Sequence, residues 1–97
     1  MLILKTIKRF GRMHGYAIAK SIQQASQEVL QVEEGSLYPA LQRLLVKGWV
    51  TAEWAPGGLK RRTRIYQLTP LGRKQLDAEI SEYRRVSQAI DRVIQPA

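Results

Sequence analysis

Between Gly48 and Thr69 the chain carries two runs of strand-forming residues, Trp49-Val50-Thr51-Ala52-Glu53-Trp54 and Arg62 to Leu68, separated by Ala55-Pro56-Gly57-Gly58-Leu59-Lys60. Pro56 presets φ and the adjacent glycines reach positive φ without steric cost, so this segment closes as an antiparallel hairpin. Trp49 and Trp54, five apart in one strand, are expected on opposite faces, one in the core and one exposed. The rest of the chain has helical spacing, and a single hairpin cannot bury its apolar face alone. The helices must therefore supply its core, which restricts the fold to a mainly α, α+β arrangement.

Ile3, Leu4, Ile7 and Phe10 mark a first helix that Gly11 ends. Arg12 to Gly15 then reads as a short connection. Ile18, Ile22 and Ala25 mark a second helix, about Tyr16 to Ser26, and Gln27 to Glu34 reads mostly as linker. For the third helix Ser36 is the expected N-cap, which places Pro39 in the first turn, where its missing N–H costs nothing. At 100° per residue Leu37, Ala40, Leu41, Leu44 and Leu45 share one side, while Pro39, Gln42, Arg43 and Val46 point away. The helix runs to Lys47, and Gly48 supplies a left-handed C′ position. Thr69-Pro70 joins a good N-cap to a favoured N1 residue, starting a long final helix. Along it Leu76, Ile80, Tyr83, Ser87, Ile90 and Ile94 alternate at four and three, widened by Val86 and Val93.

Three helices followed by a hairpin, with an amphipathic third helix whose free face is polar, are the element order of a winged helix-turn-helix. Residues 1–68 are expected to form the DNA-binding domain and 69–97 a dimerisation helix. The chain of 97 residues carries 16 Lys and Arg against 8 Asp and Glu. The surplus is uneven: five basic against three acidic residues lie in 1–35, six against one in 36–68, and five against four in 69–97. A basic excess centred on the third helix and hairpin points to double-stranded DNA. Lys60, Arg61, Arg62 and Arg64 are placed to reach phosphates or a minor groove, though the same cations would also suit an ordinary solvated turn. Gln42 and Arg43 suit adenine and guanine edges, Ser36 and Tyr38 could reach phosphate, and Pro39 and Lys47 complete the offered surface. Ordinary surface polarity is the alternative for these residues, and flanking of the core is the alternative for Tyr38.

Other functions find little support. With no cysteine, thiolate metal sites, iron–sulfur clusters and cysteine nucleophiles are excluded, and the single His14 cannot build a multi-histidine metal site. Glu33-Glu34 is more suited to the positive end of a helix dipole than to acid–base work. No catalytic constellation, metal site or cofactor is expected. The first apolar run, broken at Lys5, is too short for a signal or membrane segment, and a cytoplasmic location is expected. The acidic residues of the final helix argue against membrane-surface binding. A second binding reading has the basic hairpin meet an acidic protein partner.

His14-Gly15-Tyr16, then Glu33-Glu34-Gly35-Ser36-Leu37-Tyr38-Pro39-Ala40-Leu41, and finally Tyr66-Gln67-Leu68-Thr69 with Gly72 resemble the PadR family of transcriptional regulators. The resemblance runs from Leu2 to Leu76, and the remainder of the chain looks like the single C-terminal helix of the short PadR subgroup. Arg12 stands where the family usually has proline, and Ile65 where it often has a second tyrosine. The resemblance implies a dimeric winged-helix repressor acting on a palindromic operator. In it the second and third helices form the helix-turn-helix, Lys60 to Arg64 lie in the wing, and the final helix exchanges contacts with a second subunit. The stripe of Leu76, Ile80, Tyr83, Ser87, Ile90 and Ile94, too long for one small domain to cover, is expected to meet that subunit, a tail packed back on its own domain being the alternative. Some PadR-like proteins resemble aromatic-compound sensors, but the final helix has Tyr83 and no tryptophan, so no small-molecule inducer is read from it.

Overall fold

The computed structural model describes residues 1–55 and 64–96. Helix α1 spans Leu2–Phe10, strand β1 Arg12–His14, α2 Gly15–Ala25, α3 Glu34–Val46, β2 Val50–Trp54, β3 Arg64–Leu68 and α4 Pro70–Ile94. The strands form one antiparallel sheet in the order β1-β3-β2, so the hairpin strands pair directly and β1 adds a third strand at the edge of β3. Arg12 lies opposite Gln67, Met13 opposite Tyr66 and His14 opposite Ile65. The segment Arg12 to Gly15, expected as a connection, is thus mostly strand. A three-residue strand has too short an alternation to be read locally and exists because β3 offers its free edge.

Each element commits apolar side chains to one core. Leu4 and Ile7 come from α1, Met13 from β1, Ile18 and Ile22 from α2, Leu37 and Leu41 from α3, Val50 from β2 and Tyr66 from β3. Helix α4 adds Leu76. Gly11, at φ 86, turns the chain out of α1 and gives its N–H to the carbonyl of Ile7. Helix α2 begins one residue earlier and ends one residue earlier than expected.

Helix α3 begins at Glu34 with Glu33 at the N-cap, so Ser36 lies inside the helix and is not its cap. Leu37 and Ser36 both donate their N–H groups to the carbonyl of Glu33. Pro39 is accordingly within the helix, beyond the first turn, and the Gly35 carbonyl loses its i+4 donor. Gly35 is exposed, so water can take that place. The acidic pair belongs to the helix start itself, where Glu34 faces the positive end of the dipole.

Between α2 and α3 the chain reverses through Gln27 at φ 53 and Glu28 at φ 66, two consecutive non-glycine residues in the left-handed region. The reversal is held by the Glu28 N–H on the Gln23 carbonyl at 2.8 Å and by the Ser26 hydroxyl, which accepts from the Leu30 N–H at 3.0 Å. Because a side chain in this region is strained by roughly 1 kcal/mol, Gln27→Gly is expected to stabilise the fold by up to about 1 kcal/mol. Thermal unfolding checks this, and a lowered midpoint would contradict it.

Helix α4 is anchored at its start. The Thr69 hydroxyl accepts from the Gly72 N–H at 2.9 Å and donates to the Gly48 carbonyl at 2.7 Å, while the Thr69 N–H donates to the Trp49 carbonyl. Pro70 occupies the first turn, as its fixed φ favours. Further along, the Met1 ammonium lies 3.0 Å from a Glu79 oxygen and Lys8 Nζ 4.0 Å from Asp77, fastening α1 to α4. Burial alone would raise the pKa of Glu79, but the Met1 ammonium, the Gln75 amide and Lys47 outweigh it and hold it below the usual carboxylate value.

Candidate nucleic-acid interface

The apolar stripe of α3 faces inward as its spacing requires, with Leu37 and Leu41 buried and Leu44 and Leu45 packed against the core. The opposite side is open. Pro39, Gln42, Arg43 and Val46 are all exposed. Looking down the helix, Gln42, Pro39 and Val46 face directly outward, with Tyr38 on one flank and Ser36, Arg43 and Lys47 on the other. Ser36, Arg43 and Lys47 line an open groove of about 560 Å³ against the N-terminal end of α1.

Tyr38 lies at the edge of the packed face and stays partly open to solvent, and its ring packs so closely on Gly15 that a Cβ there would lie 3.0 Å from Cε1. Gly15 thus sets the approach of the α2 start to the α3 start, the geometry a helix-turn-helix requires. His14, just before α2, stacks on Tyr16 with centroids 5.5 Å apart and planes inclined by 13°.

Lys47 closes the exposed flank at the helix end. Its ammonium stands 4.6 Å over the Trp49 ring, and Trp49 packs against the core. Trp54 is 54% exposed, so one tryptophan packs on the core and one is open, but not by strand alternation: Trp49 precedes β2, and Trp54 lies on the core face beyond the point where the core ends. On the sheet surface turned away from the core, Arg12 meets Glu53 at 3.2 Å. Of the hairpin cations only Arg64 belongs to the described residues. It stands opposite Trp54, with its guanidinium carbon 4.7 Å from the centre of that ring. Lys60, Arg61 and Arg62 lie outside the described residues.

The stripe of α4 divides. Leu76 is 0% exposed within this chain's own core, and Ile80 packs beside it. Beyond them the helix leaves the globule, and Tyr83, Val86, Ile90, Val93 and Ile94 are exposed, with Ser87 half-buried. The extents of 61 × 29 × 21 Å reflect that projection. Among the described residues no helix is long and apolar enough to cross a membrane, and no group of three His, Cys, Asp or Glu could hold a metal ion.

A helix-turn-helix of α2 and α3 followed by a β2–β3 wing defines a winged-helix protein of the DNA-binding type. Residues 3–78 match the transcriptional regulator PadR-like family, and the chain belongs to it. It is similar to a transcriptional regulator from Clostridium thermocellum, with a TM-score of 0.88 and 26% identity over 97% of this chain and 90% of that one. It is also similar to Bacillus subtilis PadR solved in complex with operator DNA, with a TM-score of 0.73 and 25% identity over 81% of this chain and 43% of that one. An uncharacterized protein X from Lysinibacillus sphaericus is 29% identical over 90 residues, which are 93% of this chain and 82% of that protein.

Proposed function

We propose that this chain is a sequence-specific DNA-binding repressor that occupies a palindromic operator as a homodimer. The observation that carries the reading is the exposed polar face of α3 in a chain of this family, together with a hairpin that presents Arg64 at the outer end of its paired strands. The complex of Bacillus subtilis PadR with operator DNA supports it by analogy.

In this reading α3 enters the major groove. Gln42 suits the paired donor and acceptor of adenine, and Arg43 the two acceptors of guanine. Ser36 and Tyr38, near the helix start, reach phosphate, Pro39 bears on the groove wall, and Lys47 adds positive field at the far end. Lys60, Arg61, Arg62 and Arg64 supply backbone or minor-groove contacts from the wing. Residues 69–97 join two subunits and hold the two α3 helices about one DNA turn, roughly 34 Å, apart. Bound over a promoter, the dimer blocks polymerase by occupying its site, which needs no enzyme chemistry and no cofactor.

Selection from a randomised duplex pool, followed by fluorescence anisotropy across a salt series, tests the reading. The selected site is expected to bind at least about a thousandfold tighter than random duplex. Equal binding of both, vanishing as salt rises, would overturn sequence reading and direct the search to an acidic protein partner. Arg43→Ala is expected to cost about 1–3 kcal/mol on the selected site alone and to relax base preference at one position. Arg62→Ala is expected to weaken selected and random duplex alike. Equal effects of the two substitutions would contradict the division between groove and backbone contacts.

A further inference from the structure

We propose that Trp54 is a positioning residue for phosphate contact, its indole holding the Arg64 guanidinium at the outer end of the paired wing strands so that the guanidinium edge meets the DNA backbone. The inference rests on the DNA-binding reading above and assigns a role to a residue outside the recognition helix and the basic run.

Trp54 and Arg64 are direct cross-strand partners, the outermost described pair of the hairpin. Strand alternation puts Trp54 on the face of Val50 and Ala52, and Arg64 on the face of Tyr66 and Leu68, so both continue the core face past the point where the core ends. The indole is 54% exposed there and does not belong to the core cluster. Trp49 is different: Lys47 also lies over its ring, but that ring packs against the core and would be required without the lysine.

The charges of the sheet are sorted by face. Glu53, next to Trp54, points to the opposite surface and is taken by Arg12 at 3.2 Å. That carboxylate therefore does not compensate Arg64, whose near neighbour is the neutral ring, 4.7 Å from the guanidinium carbon to the ring centre. A guanidinium that rests its face on such a ring keeps its N–H donors free around the edge. A phosphate approaching in that plane meets paired donors. An unheld arginine would surrender rotamer freedom on forming the contact, whereas one already stacked surrenders less.

The test measures log K against log salt concentration for the selected duplex, by anisotropy, with the whole chain as wild type, Arg64→Ala, Trp54→Leu, Trp54→Phe and the Trp54→Leu/Arg64→Ala double variant. Leucine keeps apolar bulk on the strand and removes the ring that holds the cation. Trp54→Leu is expected to lower the slope by about one unit for each bound subunit, as Arg64→Ala does, with no further loss in the double variant. Trp54→Phe is expected to retain most of the slope. In Trp49→Phe, where Trp54 is the one remaining tryptophan, DNA is expected to reduce quenching of the emission by iodide, a measurement that does not depend on the Leu variant folding. A wild-type slope in Trp54→Leu, additive losses in the double variant, or unchanged iodide quenching would each overturn the proposal while leaving DNA binding intact. Failure of the wild type to prefer any duplex would overturn the underlying reading and this one with it.

Discussion

Gly72→Ala is expected to destabilise the fold by about 3 kcal/mol or more and to lower the unfolding midpoint by at least about 10 °C. A Cβ on Gly72 would overlap the backbone carbonyl of Trp49 and would also lie 2.9 Å from Leu68 Cδ1. The carbonyl has little freedom to yield, because it accepts the Thr69 N–H at 3.1 Å, and Thr69 in turn caps α4 and bonds the carbonyl of Gly48. Relief therefore requires α4 to tilt away from the sheet. Leu76 lies one turn further along the same helix and fills the core, so the tilt also opens a cavity. The same replacement at Gly35 is the control. A Cβ there meets nothing within 4 Å, and alanine in place of a helical glycine is expected to raise stability by up to about 1 kcal/mol. Thermal unfolding of both variants, monitored by circular dichroism, decides the matter, and similar midpoints for the two would contradict the steric argument.

The contrast between these glycines marks where a linear sequence carries structural information. Thr69-Pro70 announces the start of α4 because cap and N1 preferences are local, and the helix begins at Pro70 with the Thr69 hydroxyl on the Gly72 N–H. Gly48 ends the α3 region at φ 76 for the same local reason. Strand β1 is not locally encoded. Arg12, Met13 and His14 become a strand only when β3 presents its edge, and the one local signal is the apolar Met13 between two polar residues. The expected start of α3 falls too late because Ser36 is a stronger cap by type than Glu33, yet the acidic pair already marks the positive helix end.

The candidate site divides in the same way. Helical period alone sorts α3 into packed and exposed sides, so Gln42, Arg43 and Val46 lie open as the spacing predicts. Spacing does not reveal that Tyr38 rests on Gly15 or that Arg64 stands over Trp54, since each pair joins residues from different elements; Lys47 and Trp49 are only two residues apart, but their contact depends on the turn at Gly48 between α3 and β2. Nor does a heptad-like stripe declare its partner. Leu76 continues the pattern of Tyr83 and Ile90 but is spent on its own core, because the first turns of α4 lie against α1 and the remainder runs past it.

If the protein is the homodimer proposed above, Ile90→Asp is expected to convert it to a folded monomer and to weaken operator binding by at least about a hundredfold. Ile90 is 52% exposed on the projecting part of α4, between Tyr83 and Val86 on one side and Val93, 83% exposed, and Ile94 on the other. None of these side chains belongs to the core cluster, so a charge at Ile90 leaves the folded unit intact. In a dimer the same carboxylate would be buried against a second apolar helix without a partner, a cost of several kcal/mol. The loss of DNA affinity is then a matter of valence. Two linked recognition helices bind two half-sites with an effective local concentration for the second, and separating them removes an enhancement of about 10²–10⁴ without touching a DNA contact. Light scattering at micromolar concentration reads the mass, thermal unfolding confirms the fold, and anisotropy on an operator and on an isolated half-site separates valence from contact. The half-site should bind wild type and Ile90→Asp alike. A variant that stays dimeric with unchanged operator affinity would show that the exposed half of α4 is not the dimer interface.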